Sequence, residues 1–327
     1  MKDKIFKKRA YGFVVIKAIN SNYNADFTGQ PRTLPNGTVY ATDKALKYTV
    51  RYYLDNEYKD KKVFIFKRTN NNLNPYTLAE SYNNFFNTNV EKDDKKAIIK
   101  NLLSAVDVRF FGVTFAPKGN GGKDIKDKNI SIHGPVQITH GINIWKEGNI
   151  YSEQIMSPFR NPSDKEGAEK SASTLGRQSK LEEGHYIHHF SINPKTIENI
   201  IENVAEEENM IELALTENDI SILKEALRKG VSYYDSSSKS GVENEILFYV
   251  ELNENSKIVL PNFTDLIKMK DDGEKRCFDL KVIKDELEKY KAEIEKCEIY
   301  YDKNIICIKN LPEDCVEYTL NGEKYEG

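Results

Sequence analysis

The chain has 327 residues, 39% of them hydrophobic and 30% charged, which is enough apolar content for a sizeable core, with no run near the ~18 apolar residues of a membrane helix. Its formal net charge of −3 excludes a uniformly basic nucleic-acid binder, but the charge is uneven: residues 1–68 hold 15 Lys+Arg against 6 Asp+Glu (net +9), residues 69–197 hold 16 against 14 (+2), and residues 198–327 hold 17 against 31 (−14). The four cysteines, Cys277, Cys297, Cys307 and Cys315, form no CxxC pair, which argues against a disulfide scaffold or a zinc ribbon.

The opening MKDKIFKKRAYGFVVIKAI puts cations before a short apolar run, but Lys17 interrupts it and no small-residue cleavage site follows. The expectation is a first strand, Tyr11 to Ile19, in a cytoplasmic protein. A long Asn/Gly/Pro-rich loop, NSNYNADFTGQPRTLPNGT, comes next. Thr42 then caps a helix in which Ala45, Leu46, Thr49, Val50, Tyr53 and Leu54 form the core stripe, with Lys44, Lys47, Tyr48 and Arg51 off it. Lys47 and Arg51 are four apart, so their heads share one face.

Val63 to Lys67 reads as a strand and Asp93 to Ser104 as a helix. The apolar segment from Asp107 is bounded by Pro117, and Lys118 to Lys128 reads as a flexible charged tip. His133 to Ile144 alternates in part. Residues 169–194, EKSASTLGRQSKLEEGHYIHHFSINP, form a polar excursion that returns as a strand at Ile187 to Ile192. Pro194 opens a helix to about Ala205, Thr216 caps a second that Gly230 closes, SYYDSSSKSG is a loop, Glu245 to Leu252 is a strand, and Lys281 to Lys296 is a charged helix. The order strand, helix, strands, helix, strand with long insertions points to an α+β fold of the split βαβ kind, ferredoxin-like or RNA-recognition-motif-like, whose open sheet offers one face to RNA.

The excursion at 169–194 carries the functional signal. Ser171, Ser173, Thr174, Gly176, Arg177 and Lys180 supply donors and cations for phosphate oxygens, and Tyr186, His188, His189 and Phe190 follow as rings on which bases can stack. The alternative is a surface hairpin with solvated charges. His185, His188 and His189 could bind a metal together with Glu182 or Glu183, but such histidines more often sit in a strand or stack on bases. No GxSxG, GxxxxGK[ST] or HExxH is present, and the GNGG at Gly119 lacks the strand-to-helix context of a dinucleotide site. Asp26 could serve as a general base or magnesium ligand for RNA cleavage; with no second carboxylate nearby it also reads as a turn aspartate.

Strand one with its Pro/Gly-rich loop, then ATDKALKYTVRYYL, DVRFFGVTF, GPVQITHGIN and the 169–194 segment, resembles the backbone subunit of type I CRISPR interference (Cascade) complexes, of the RAMP superfamily and closest to subtype I-B, over about Tyr11 to Leu252. The resemblance implies a non-catalytic protein without a cofactor, an RRM-like palm over 1–260 with fingers at about 68–130 and a thumb at about 155–190, and an acidic extension at 261–327 packing on the palm. It implies that several copies polymerise along CRISPR RNA in antiviral defence, leaving the guide free to pair with a target DNA strand. Implied partners are further copies and the large, small, 5′-handle-binding and repeat-processing endonuclease subunits, with no membrane. RNA contacts are expected from Asn20, Asn22 and Arg32 in the first loop, Lys44, Lys47 and Arg51 on the first helix, Gln137 and His140 in the GPVQ strand, Ser173, Thr174, Arg177 and Lys180 in the thumb, and Lys239 in the Ser/Gly loop. Ile138-Thr139-His140-Gly141 departs from the family's aromatic and Arg after GPVQ. Related type III subunits cleave target RNA with an aspartate in the first loop, where Asp26 lies, so an endonuclease is the alternative.

Overall fold

The first strand, β1 (Ala10–Ser21), is apolar on both faces, so the sheet it occupies must be covered on both sides. The computed structural model describes residues 3–119, 122–123, 125–156 and 175–326. After β1 come β2 (Tyr40–Ala41), α1 (Asp43–Glu57), α2 (Leu78–Phe86), α3 (Lys95–Ser104), α4 (Val106–Phe111), β3 (Gly112–Phe115), β4 (Ile130–His133), β5 (Val136–Ile138), β6 (Gly141–Asn143) and β7 (Ile150–Met156). The chain continues through β8 (Leu175–Ile192), α5 (Lys195–Val204), α6 (Met210–Leu213), α7 (Glu217–Tyr233) and β9 (Val242–Leu252). Last are β10 (Lys268–Asp271), β11 (Arg276–Asp279), α8 (Lys281–Glu288), β12 (Ile294–Tyr300), β13 (Ile306–Lys309) and β14 (Val316–Tyr318).

This is a mixed α/β protein whose main sheet runs β14-β12-β9-β1-β8-β6-β2, with β5 and β7 also pairing β8. β1 is antiparallel to both β8 and β9, matching Val15 to Ile187 on one side and to Ile246 on the other. Alternation along β1 then separates two cores. Val14, Ile16 and Ala18 face α1 and α7, meeting Leu46, Val50, Leu223 and Leu227. Tyr11, Phe13 and Val15 face the C-terminal segment, meeting Phe263, Phe278, Ile283 and Leu287. A third cluster joins α2, α3, β3 and β4 to α5 and α6 around Tyr82, Leu102, Phe115 and Ile201.

The expected open face therefore does not exist: residues after Leu252 cover it, and their strands β12 and β14 extend the sheet beyond β9. Other local expectations also change. Val63 to Lys67 is not a strand, because the Asp107 carboxylate accepts the N–H groups of Phe64 (2.8 Å) and Ile65 (3.0 Å) that a ladder would have used. Gly230 lies inside α7 rather than closing it; a Cβ there would stand 2.9 Å from the Thr49 carbonyl oxygen, so the glycine lets α7 approach α1. The helix expected to reach Lys296 stops at Glu288, and the chain turns into β12, which is held by pairing with β9. Part of the Lys118–Lys128 tip lies outside the described residues.

Candidate nucleic-acid interface

The loop between β1 and β2 is polar, and its own side chains build it. Asp26 Oδ1 accepts from the Thr28 amide (2.8 Å), the Thr28 hydroxyl (2.8 Å) and the Gln30 amide (3.0 Å), closing an Asx turn that keeps the carboxyl below its usual range. Asn22 is buried and donates from Nδ2 to the carbonyls of Gly29 and Ser179, both at 3.1 Å, while its amide donates to the Ser238 carbonyl (2.8 Å). Tyr151 donates its hydroxyl to Asn20 Oδ1 (3.1 Å), and Gln30 Nε2 donates to Ser152 Oγ (3.3 Å), which lies 2.8 Å from Ser179 Oγ.

Three segments thus meet at one end of the sheet: the β1–β2 loop, the β7–β8 ribbon and the loop at 236–241. Gln178 Nε2 donates to the Ser237 carbonyl (3.1 Å), and Lys239 donates from Nζ to the Tyr23 carbonyl. Burial pulls the Lys239 ammonium down to about 8. The amides of Lys239 and Ser240 are already bonded to the Ser236 carbonyl, so they do not reach outward. Lys180 pairs with Glu153 at 3.0 Å, and Arg177 is exposed on β8. Ser173 and Thr174 lie outside the described residues.

A second group surrounds the start of α1. Lys44 is exposed, whereas Lys47 pairs with Asp43 (2.9 Å) and Arg51 with Asp107 (2.9 Å), both cations lying over the Phe111 ring. The shared face expected for Lys47 and Arg51 exists, but both heads already have partners within the chain. His140 Nδ1 accepts from the Asp43 amide at 3.3 Å, and Gln137, exposed on β5, donates Nε2 back to the Gly134 carbonyl (2.7 Å). Arg32 is half-buried, with its guanidinium 6.0 Å from the centre of the Phe27 ring. Phe27 escaped the sequence reading: the loop holds two aromatics, Tyr23 and Phe27, and only the fold shows that Tyr23 is buried and Phe27 exposed.

The histidines of β8 are structural. His188 lies on the α1/α7 side of the sheet, donating from Nδ1 to the Thr139 carbonyl (3.0 Å) and accepting the Tyr23 hydroxyl at Nε2 (3.2 Å). His185 lies on the opposite side between Glu245 (2.5 Å) and Glu183 (3.1 Å), and Arg276 clamps Glu183 with two hydrogen bonds. A strand sends adjacent side chains to opposite faces, so His188 cannot share an ion with His185 or His189. Among the described residues, Asp272, Cys277 and Cys307 are a metal-compatible group, their donor atoms within 4.8 Å of one another, but the Cys277 thiol donates to Asp272 (2.9 Å) and burial pushes it up to about 12.

With its central strands buried on both faces, a mixed α/β protein meets a polyanion through its loops, helix ends and outer ribbon, and here those are polar and partly cationic. The chain belongs to the family CRISPR-associated protein Cas7, which it matches over residues 8–295. Among solved structures it is similar to a chain of a "CRISPR RNA-guided surveillance complex" (13% identity, 94% of each chain covered, TM-score 0.49). It is also similar to a chain of a "CRISPR RNA-guided surveillance complex, pre-nicking" (11% identity, 94% of this chain and 97% of that one, TM-score 0.45). No curated protein matches it. No described helix is long and apolar enough to cross a membrane.

Proposed function

We propose that this chain is a non-catalytic, cytoplasmic backbone subunit of a type I Cascade complex, closest to subtype I-B, that polymerises along CRISPR RNA and leaves the guide's base edges free for a target DNA strand. Family membership over residues 8–295 is the observation that carries this reading. The order β9-β1-β8-β6, antiparallel about β1 with α1 and α7 on one face, supports a ferredoxin-like or RRM-like palm over 1–260, with fingers at about 68–130, a thumb at about 155–190 and the acidic 261–327 segment packed on the palm. The hydrogen-bonded meeting of the first loop, the β7–β8 ribbon and the 236–241 loop supports an RNA-facing end, with Asn20, Arg32, Lys44, Arg177, Lys180 and Lys239 as donors. Asn22 braces that end, and Lys47 and Arg51 brace the neighbourhood of α1, through their bonds within the chain, and all three touch phosphates only with their remaining donors. Copies of itself and the other Cascade subunits are the partners proposed.

Guide phosphates bound this way must make retention on RNA strongly salt-dependent, because each neutralised phosphate releases counterions. The test is purification from cells expressing a CRISPR array, followed by sequencing of the RNA that copurifies. Enrichment of spacer-containing RNA of discrete length is expected. Protein that emerges free of nucleic acid would end the guide-filament reading.

A further inference from the structure

Phe27 is wholly exposed (103%), the most exposed large hydrophobic side chain among the described residues. The backbone that holds it is well braced. Asp26 and Gln30 pair across the turn (2.8 Å), Gly29 closes it at positive φ (+86°), and Asn22 ties the Gly29 carbonyl to the sheet. A loop this tightly bonded could have turned the ring inward, yet it presents the ring to solvent.

The surroundings indicate what the ring meets. A protein partner calls for contiguous apolar area, whereas the chain neighbours of Phe27 are the polar Asp26 and Thr28. An unstacked base needs a single π-face with a cation nearby for its phosphate, and Arg32 supplies that cation 6.0 Å from the ring centre. Through Gln30 and Ser152 the loop is bonded to the ribbon that carries Lys180.

We propose that Phe27 is a stacking platform for an unstacked base of single-stranded nucleic acid running along this loop face, with Arg32 holding the adjoining phosphate. The proposal rests on the RNA-binding reading above and deepens it. Since stacking accepts any base, such a platform suits a protein that must carry any guide sequence.

The test uses the intact chain and single-stranded RNA labelled with 2-aminopurine at successive positions. Wild type is expected to alter the fluorescence at one position or at a regular spacing. Phe27→Ala should abolish that signal and weaken binding about tenfold while leaving the salt slope unchanged, because no phosphate contact is removed. Phe27→Trp should preserve both and Phe27→Leu should not, which separates stacking from apolar contact. If wild type binds RNA and Phe27→Ala matches it in affinity and fluorescence, the platform is refuted and the RNA reading stands. If Phe27→Ala changes self-association and not RNA affinity, the ring belongs to a protein contact and the proposal is overturned. If wild type binds no RNA, both readings fall together.

Discussion

Arg51 Nε lies 2.9 Å from Oδ2 of Asp107, a wholly buried carboxylate that also accepts the amides of Phe64 and Ile65. One residue thereby ties α1 to the segment before α2 and to the start of α4. The pair gives Arg51 a stability role that its place on the outer face of α1 concealed.

Arg51→Ala should cost about 1–3 kcal/mol in chemical denaturation, since it strips a buried carboxylate of its cation while leaving two amide donors in place. Lys44→Ala, at an exposed position, should stay within about 0.5 kcal/mol. Equal losses in the two variants would show that the Arg51 pair contributes nothing to folding. Any RNA-binding defect of Arg51→Ala must therefore be read beside its unfolding curve.

Asp219 is similarly placed in the interior. It takes two hydrogen bonds from Arg109 (3.0 and 3.1 Å) while forming a capping box with Thr216 at the start of α7. Asp219→Ala leaves the Arg109 guanidinium buried without its anion and uncaps the helix, so a loss of about 3–5 kcal/mol is expected in equilibrium unfolding. A loss below about 1 kcal/mol would mean that Arg109 is satisfied by the Leu103 and Ser104 carbonyls it also reaches.

Burial holds both His188 and His189 near pKa 4, below the ordinary value of 6.5. Between about pH 6.5 and 4 the unfolded chain binds protons that the folded chain refuses, so stability is full above 6.5 and falls as the pH drops through that window. His188→Gln should flatten part of that slope in unfolding measured from pH 7 to pH 4. An unchanged slope would show that His188 takes up its proton without unfolding.

Gly12 is the third residue of β1, where a Cβ would stand 2.1 Å from the Phe248 carbonyl oxygen and 2.4 Å from the Phe190 ring. Gly12→Ala must push β9 or that ring aside, and a cost of at least about 1–3 kcal/mol is expected in thermal unfolding. A melting temperature equal to wild type would mean that both the β9 backbone and the ring give way at no cost.

With its pKa near 8, Lys239 loses its charge as the pH rises past that value. Nucleic-acid affinity should therefore weaken between about pH 7 and 9 in wild type and hold steadier in Lys239→Arg, which keeps its charge throughout. Identical pH profiles for the two would remove Lys239 from the proposed site.

Periodic, locally coded elements were legible in the sequence. Tyr11–Ile19 became β1, the stripe Leu46, Val50 and Leu54 became the buried face of α1, and Thr216 caps α7 as its spacing indicates. What could not be read depends on distant partners. Ile187 to Ile192 was legible as a strand, but LEEGHY before it looks too polar to continue one, and its His185 is buried because Glu245 comes to it from elsewhere in the chain. Val63 to Ile65 has strand composition, but Asp107, more than forty residues later, takes its amides. The candidate site was legible as residue types in loops; the bonds that join the three segments, and the ring at Phe27, were not.

Strand β8 is 18 residues long, and it carries both the register against β1 and the pairing of Arg177 to Gln154 in the outer ribbon. The ribbon is in effect a cantilever rooted in the middle of the molecule, and its aim is set by hydrogen bonds far from its tip. Deleting one residue near Lys180 would leave the root intact and turn the outer half over, exchanging the side that bears Arg177 and Ser179 for the side that bears Gln178 and Lys180.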